Sequence, residues 1–175
     1  MIGNLINQML RDIKNLYQDR SDWSAREPRN KGTLHNPKRI TIHHTVTPNN
    51  ESDMSARVRQ IQNWHMDHNG WADIGYHFLV GQDGRVYEGR PMSIVGAHVR
   101  GSNTDNIGIA VIGNFTNDEP TGIQLRTLKA LISAICKMHY IKAVNISGHR
   151  DYHSKNTCPG DKLYNKIPEI IEYVR

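Results

Sequence analysis

Three places in this 175-residue sequence carry side chains that could grip one metal ion: the His43-His44 pair, His149 and Cys158. Two neutral imidazoles and a thiolate suit zinc, and three protein ligands with a fourth position left open describe a catalytic site better than a structural one. An ion held this way acidifies water toward pH ~7 and polarises a carbonyl, so the chemistry on offer is hydrolysis. The same thiol and imidazole, Cys158 with His149, also make a nucleophilic design that needs no metal, and sensitivity to a chelator separates the two. Neighbouring residues of a strand face opposite sides, so His43 and His44 cannot both ligate from a regular strand. Ile40, Ile42 and His44 share one side and Arg39, Thr41 and His43 the other, and the pattern does not choose between them. With 10 histidines in the chain some meet by chance. His35, His139 and His153 are assigned structural roles, and His65 and His68, three apart on an expected helix, a solvated or half-buried face. No carboxylate pair of the kind a glycosidase needs stands out.

The elements that must bring these side chains together follow from periodicity. Residues 39–46, RITIHHTV, alternate and are β-branched, which predicts a strand, and the core is expected to begin at Arg39 after an irregular, turn-rich lead-in. Residues 53–68 place Met54, Val58, Ile61 and Trp64 or His65 on one face of a helix. Asp83-Gly84 suits the turn of a hairpin running from Tyr76 to Glu88, and IGIAVIGNF reads as an apolar strand inside a sheet. Beyond it come a long helix over 121–140, a short strand at 144–147, a loop over 148–160 and a closing helix over 161–174. Upstream, Ile2, Leu5, Ile6, Met9, Leu10, Ile13, Leu16 and Tyr17 recur at helical intervals, predicting an amphipathic helix over 1–20. Strands and helices alternating in this way predict an α/β fold, a single domain with a central mixed β-sheet covered by helices, and leave the strand order open.

Hydrophobic residues at 37% and charged residues at 22% are ordinary for a soluble domain. No apolar run approaches the roughly 20 residues that cross a bilayer, so integral membrane association is not expected. The first 20 residues do not have the form of a signal peptide, which predicts synthesis in the cytoplasm and release by another route. A net charge of +5 favours polyanionic partners, but the charges are scattered and no basic cluster forms, so nucleic acid is not the expected partner. Two cysteines are too few for a disulfide framework. Cys136 lies on a helical apolar stripe and reads as a buried spacer, whereas Cys158 stands in a loop beside histidines.

Four segments in order, IHHTVT, WADIGYHFLVGQDGRVYEGRP, GAHVRGSNTDNIGIAVIGNF and GHRDYHSKNTCPG, resemble the N-acetylmuramoyl-L-alanine amidases shared by phage lysozyme-type endolysins and animal peptidoglycan recognition proteins. The resemblance runs from about Trp23 to the C-terminus, so the chain divides into the helix over 1–20 and a zinc amidase catalytic domain over 21–175. It implies one Zn2+ held by His43, the first histidine of IHHT, His149 of GHRD and Cys158 of CPG. It gives Tyr76 of GYHF the task of polarising the substrate carbonyl or positioning the attacking water. The family's second catalytic position, Lys or Thr two residues before the zinc cysteine, falls here on Asn156 in a loop one residue longer; Lys155 beside it is the catalytic candidate. The substrate groove is implied along Trp71, His77, His98, Arg100, Asn103 and Asn106, whose amides and imidazoles suit a sugar-peptide ligand.

The implied activity is hydrolysis of the amide between the lactyl group of N-acetylmuramic acid and L-alanine in peptidoglycan. A monomeric phage or bacterial enzyme acting on the cell wall after release is expected, and an endolysin would usually continue into a separate wall-binding domain. The alternative is a non-catalytic peptidoglycan-binding, receptor-like module. Such relatives typically lack one or more zinc ligands, whereas this sequence keeps all three and Tyr76.

Overall fold

A computed structural model describes residues 16–175. The helix expected over 1–20 falls, up to residue 15, outside the described residues, and its last part is not helical. Tyr17–Gln18 instead form an edge strand, β1, and the Leu16 carbonyl accepts from the Val86 amide at 2.9 Å. An open sheet edge offers this segment backbone partners that outweigh its helical periodicity.

The chain then runs through β2 (Arg39–His44), α1 (Met54–Asn63), β3 (Phe78–Val80), β4 (Val86–Glu88) and β5 (Asn106–Val111). It continues through α2 (Gly122–His139), β6 (Ile146–Gly148), α3 (Asp161–Tyr164) and α4 (Ile167–Val174). The strands make one six-stranded sheet in the order β1-β4-β3-β5-β2-β6. Only the β3–β4 hairpin is antiparallel, so the expected mixed sheet is what forms. Among the described residues no helix is long and apolar enough to cross a membrane.

Local chemistry sets the helix ends. Asp53 caps α1 by accepting from the Ala56 amide at 2.8 Å, and Thr121 with Gln124 forms a capping box at the start of α2. The helix expected to continue to residue 68 changes at Trp64 into a π-helical turn over Trp64–His68. The closing helix is two helices, because Pro168 sits in the first turn of α4, where a missing N–H costs nothing.

The sheet buries both faces. On one, Ile40, Ile42, Ile107, Ile109 and Val111 pack against Leu128, Leu131, Ile132 and Ile135 of α2 and Ile167 and Ile170 of α4. On the other, Leu79, Tyr87, Ala110 and Ile112 meet Met54, Val58 and Ile61 of α1. Trp23 belongs to this second cluster, fully buried, with its indole N–H donating to the Glu88 carbonyl at 2.9 Å. The core therefore begins well before Arg39: one aromatic side chain in an otherwise irregular segment supplies the anchor, and periodicity cannot register a single residue.

Trp23→Ala is expected to lower unfolding stability by about 3–5 kcal/mol, read from the denaturant midpoint. A loss below about 1 kcal/mol would show the lead-in segment to be peripheral.

Candidate metal centre

Strand register brings the candidate ligands together. β2 and β6 run parallel with Ile42 opposite Gly148, so the next residues of each strand, His43 and His149, leave the same edge side by side. Their ring centres are 4.6 Å apart. The choice between His43 and His44 follows from the two faces. Ile40 and Ile42 point into the α2 cluster and His44 points with them, its Nδ1 accepting from the Phe115 amide at 3.2 Å. His43 points to the other side and is the histidine of the site.

The loop after β6 returns Cys158 to the same point. Arg150 donates from its backbone to the Cys158 carbonyl at 2.8 Å, and its guanidinium reaches the Thr157 carbonyl and the Asp161 carboxylate. Asp151 accepts from the Gly148 amide at 2.8 Å and from the Tyr164 hydroxyl at 2.6 Å. Asn156 accepts from the Cys158 amide at 2.9 Å. Behind the site the Tyr152 hydroxyl meets Thr41, Asn106 and Ser147 at 3.3, 3.4 and 3.5 Å. The sequence pattern does not single out these loop-holding residues; the charges inside GHRD are their only trace.

Cys158 Sγ lies 3.7 Å from His43 Nδ1, and one donor atom each from His43, His149 and Cys158 all fall within 4.8 Å of one another. Tetrahedral bonds of about 2.0–2.3 Å set donors roughly 3.3–3.8 Å apart; the His43–Cys158 separation of 3.7 Å is already in that range, and with the whole set within 4.8 Å a closure of about 1 Å or less brings all three residues onto one zinc ion. Tyr76 stands beside them, its ring 5.2 Å from that of His43.

Burial dominates the electrostatics. It pushes the Cys158 thiol up to about 11, with the His44 backbone and Arg150 pulling the other way. It holds His43 well below the ordinary imidazole range, helped by the nearby His98 and His149, and it lowers His149 as well. It also raises the Tyr76 hydroxyl well above its usual value, so Tyr76 stays a proton donor.

Two clefts flank the cluster. One, of about 350 Å³, is lined by Thr45, Thr47, Arg57, Trp64, His65 and Tyr76 among others. The other, of about 730 Å³, is lined by Trp71, Ala97, His98, Arg100, Asn103, His149, His153 and Asn156. Trp71, His98, Arg100 and Asn103 thus stand where a groove was expected. His77 and Asn106 do not. His77 is fully buried with both ring nitrogens engaged, to the Gly108 amide and the Ile94 carbonyl, each at 2.9 Å. Asn106 is also fully buried, bonded to Thr41 and Ser102. Each sits on or beside an inner strand of the sheet, where an inward-pointing polar group must find protein partners. Lys155 is exposed and lines neither cleft, while Asn156 next to it does. His153, expected to be structural, lines the larger cleft with its Nε2 3.3 Å from the Arg100 carbonyl.

The family model described as N-acetylmuramoyl-L-alanine amidase matches residues 33–161. The chain belongs to that family. Among amidase-family relatives it is 38% identical over 152 residues to peptidoglycan-recognition protein SC2 of Drosophila melanogaster, covering 85% of this chain and 82% of that one. It is 38% identical over 138 residues to the N-acetylmuramoyl-L-alanine amidase of Homo sapiens, covering 73% of this chain but 23% of the human protein. The fold resembles that of the tracheal cytotoxin-bound ectodomain complex of peptidoglycan recognition proteins LCa and LCx, with a TM-score of 0.82, 37% identity and coverage of 88% and 95%. The amidase-family fold expected from the sequence is therefore present.

The buried imidazoles of this amidase fold set a pH dependence. His44, His65 and His98 are lowered to about 4, and His43 and His77 are held well below the ordinary imidazole range, burial being the first cause for each. Above about 6.5 these rings are neutral both folded and unfolded. As pH falls from about 6.5 toward 4 the unfolded chain takes up protons that the folded chain excludes. The metal-free protein should lose stability over that window, by up to about 1.4 kcal/mol per pH unit for each ring. Urea midpoints measured across pH 4–8 test this, and a midpoint unchanged between pH 7 and 5 would refute it.

Proposed function

We propose that the protein is a zinc-dependent amidase that cleaves the amide between the lactyl group of N-acetylmuramic acid and L-alanine in peptidoglycan. The observation that carries this reading is the His43, His149 and Cys158 donor set, within 4.8 Å, opening beside Tyr76 between two clefts. When bound there, zinc would acidify a water and polarise the amide carbonyl. The chain's own residues do the rest. Tyr76, held protonated by burial, donates to the carbonyl oxygen as negative charge builds on it. The clefts on either side give the two halves of the substrate separate walls, with Trp71, Arg100, Asn103 and Asn156 facing one half and Arg57, Gln60 and Trp64 the other. Asn156 keeps its amide oxygen on the Cys158 backbone, which leaves its N–H groups for substrate. We assign Lys155 no role in the reaction.

The electrostatics favour this reading over a thiol nucleophile. A nucleophilic cysteine needs a lowered pKa, whereas burial raises that of Cys158 to about 11. A second reading, a receptor that binds wall fragments without cutting them, is supported by the likeness to the LCa and LCx ectodomains. The complete donor set with Tyr76 supports the enzyme. The Drosophila and human relatives support an animal recognition-type amidase over a phage endolysin. Action on wall material outside the producing cell's cytoplasm belongs to the same proposal.

Digestion of purified peptidoglycan should free new L-alanine amino termini, stop on chelation and resume when zinc is added. Tight binding of wall fragments with no new amine would favour the receptor. Activity indifferent to chelator but lost on alkylation would favour the thiol. Tyr76→Phe should lower kcat by about 10²–10³-fold with zinc content unchanged, as for loss of an oxyanion donor. Lys155→Ala should leave kcat unchanged, and a comparable fall in that variant would restore the residue to the machinery.

A further inference from the structure

His98 is built into the fold on every side. Its backbone amide and that of Val99 both donate to the Asn103 side-chain oxygen, at 2.8 and 2.7 Å. The ring lies against β5 at Gly108, where any Cβ would sit 2.5 Å from His98 Cγ, and against Gly96, where a Cβ would meet Cδ2 at 2.6 Å. Gly108 is therefore required by the His98 ring, and Gly96 by His98 together with His77, whose Cε1 would lie 2.7 Å from a Cβ there. The buried His77 packs edge-on behind it, ring centres 5.7 Å apart.

The ring's two nitrogens have different partners. His98 Nε2 is 3.1 Å from the Asn106 backbone carbonyl, and His98 Nδ1 is 3.0 Å from His43 Nε2. A carbonyl oxygen can only accept, so the proton of the neutral His98 ring is on Nε2 and Nδ1 carries a lone pair. His43 must then supply the proton of the shared bond from its own Nε2. A neutral imidazole has one N–H, so His43 Nδ1, 3.7 Å from Cys158 Sγ, is left bare.

We infer that His98 is a positioning residue that passes the constraint of the Asn106 carbonyl on to His43, so that His43 Nδ1 faces His149 and Cys158 as a ready metal donor. The opposite tautomer would place an N–H where a ligand lone pair is needed. The wrong tautomer of His43 would leave His98 Nδ1 facing a second lone pair, in a buried site with no other donor bonded to it among the described residues. This outer partner also fixes the plane of the His43 ring. His98 has little freedom left for substrate, being 8% exposed with both nitrogens in use.

The inference rests on the zinc reading for its purpose but not for its first test. In the metal-free full chain, long-range proton–nitrogen NMR of the imidazoles should show both His43 and His98 protonated on Nε2 and bare on Nδ1. His43 protonated on Nδ1 would overturn the relay, whether or not zinc binds. Zinc affinity, by competition with a chromophoric chelator, should then fall about 10–100-fold in His98→Leu, the usual cost of losing an outer-sphere partner. His98→Asn should recover most of that loss, because its side-chain oxygen can stand where Nδ1 stood. Equal affinity in wild type and His98→Leu, or no recovery in His98→Asn, would also overturn the inference. If the wild type takes up no zinc, the amidase mechanism falls, and the NMR result still decides the relay.

Discussion

The site depends on the parallel pairing of β2 with β6. With Ile42 opposite Gly148, His43 and His149 emerge at one sheet edge as neighbours, although more than a hundred residues of chain separate them. Carboxyl ends of parallel strands are where open α/β sheets place ligands, since backbones diverge there and leave a crevice. The register is enforced from the opposite face. Ile40 and Ile42 fill the cluster under α2, and a slip of one residue would bring the polar Thr41 and His43 into it and turn His44 toward the clefts. Hydrophobic packing on one side of the sheet thereby selects the candidate metal ligand on the other.

The third candidate ligand, Cys158, has no strand to carry it, and the loop over 149–158 solves this with polar groups instead. Its carbonyls are gathered by Arg150, its entry is tied by Asp151 to Gly148 and Tyr164, and its exit is tied by Asn156 to the Cys158 amide. A loop that satisfies its own backbone keeps a defined shape without entering the core. Charged residues next to a ligand histidine thus serve the ligand at the other end of the loop.

The sequence made much of this legible. The strand over 39–46, the hairpin at Asp83-Gly84, the apolar strand before Phe115 and the long helix after Thr121 each carry a strong local signal, and each forms within a few residues of its expected bounds, although the strand expected over 107–115 stops at Val111. The ordered motifs pointed to His43, His149, Cys158 and Tyr76, which do converge. What stayed hidden was non-local. Pairing of Tyr17–Gln18 with β4 depends on a vacant sheet edge, and the burial of Trp23 on space above β3 and β4. His77 and Asn106 are polar residues in motifs that also look like groove chemistry. Only their positions, against β5 and at the start of it, turn them inward. The role of Gly108 is likewise invisible, because nothing in IGIAV announces that a ring lies flat against its second residue.

Burial is the physical reason the proposed zinc reading is favoured over metal-free chemistry at this cluster. The imidazoles of His43, His65, His77, His98 and His149 and the Cys158 thiol sit where charge is poorly solvated, and each responds by favouring its neutral form: the rings are pushed down and Cys158 up to about 11. A thiolate–imidazolium pair would require both shifts reversed, and Arg150, which does favour the thiolate, is outweighed by burial at Cys158. On the proposed zinc reading, a divalent cation would change the balance by itself. It would favour the Cys158 thiolate directly and would need the imidazoles neutral, as the fold already holds them, with the thiol proton released to solvent. A pocket that discourages every small charge its own side chains could carry would, on that reading, suit one large charge from outside, and the neutral rings around it would be the condition for binding rather than a cost of it.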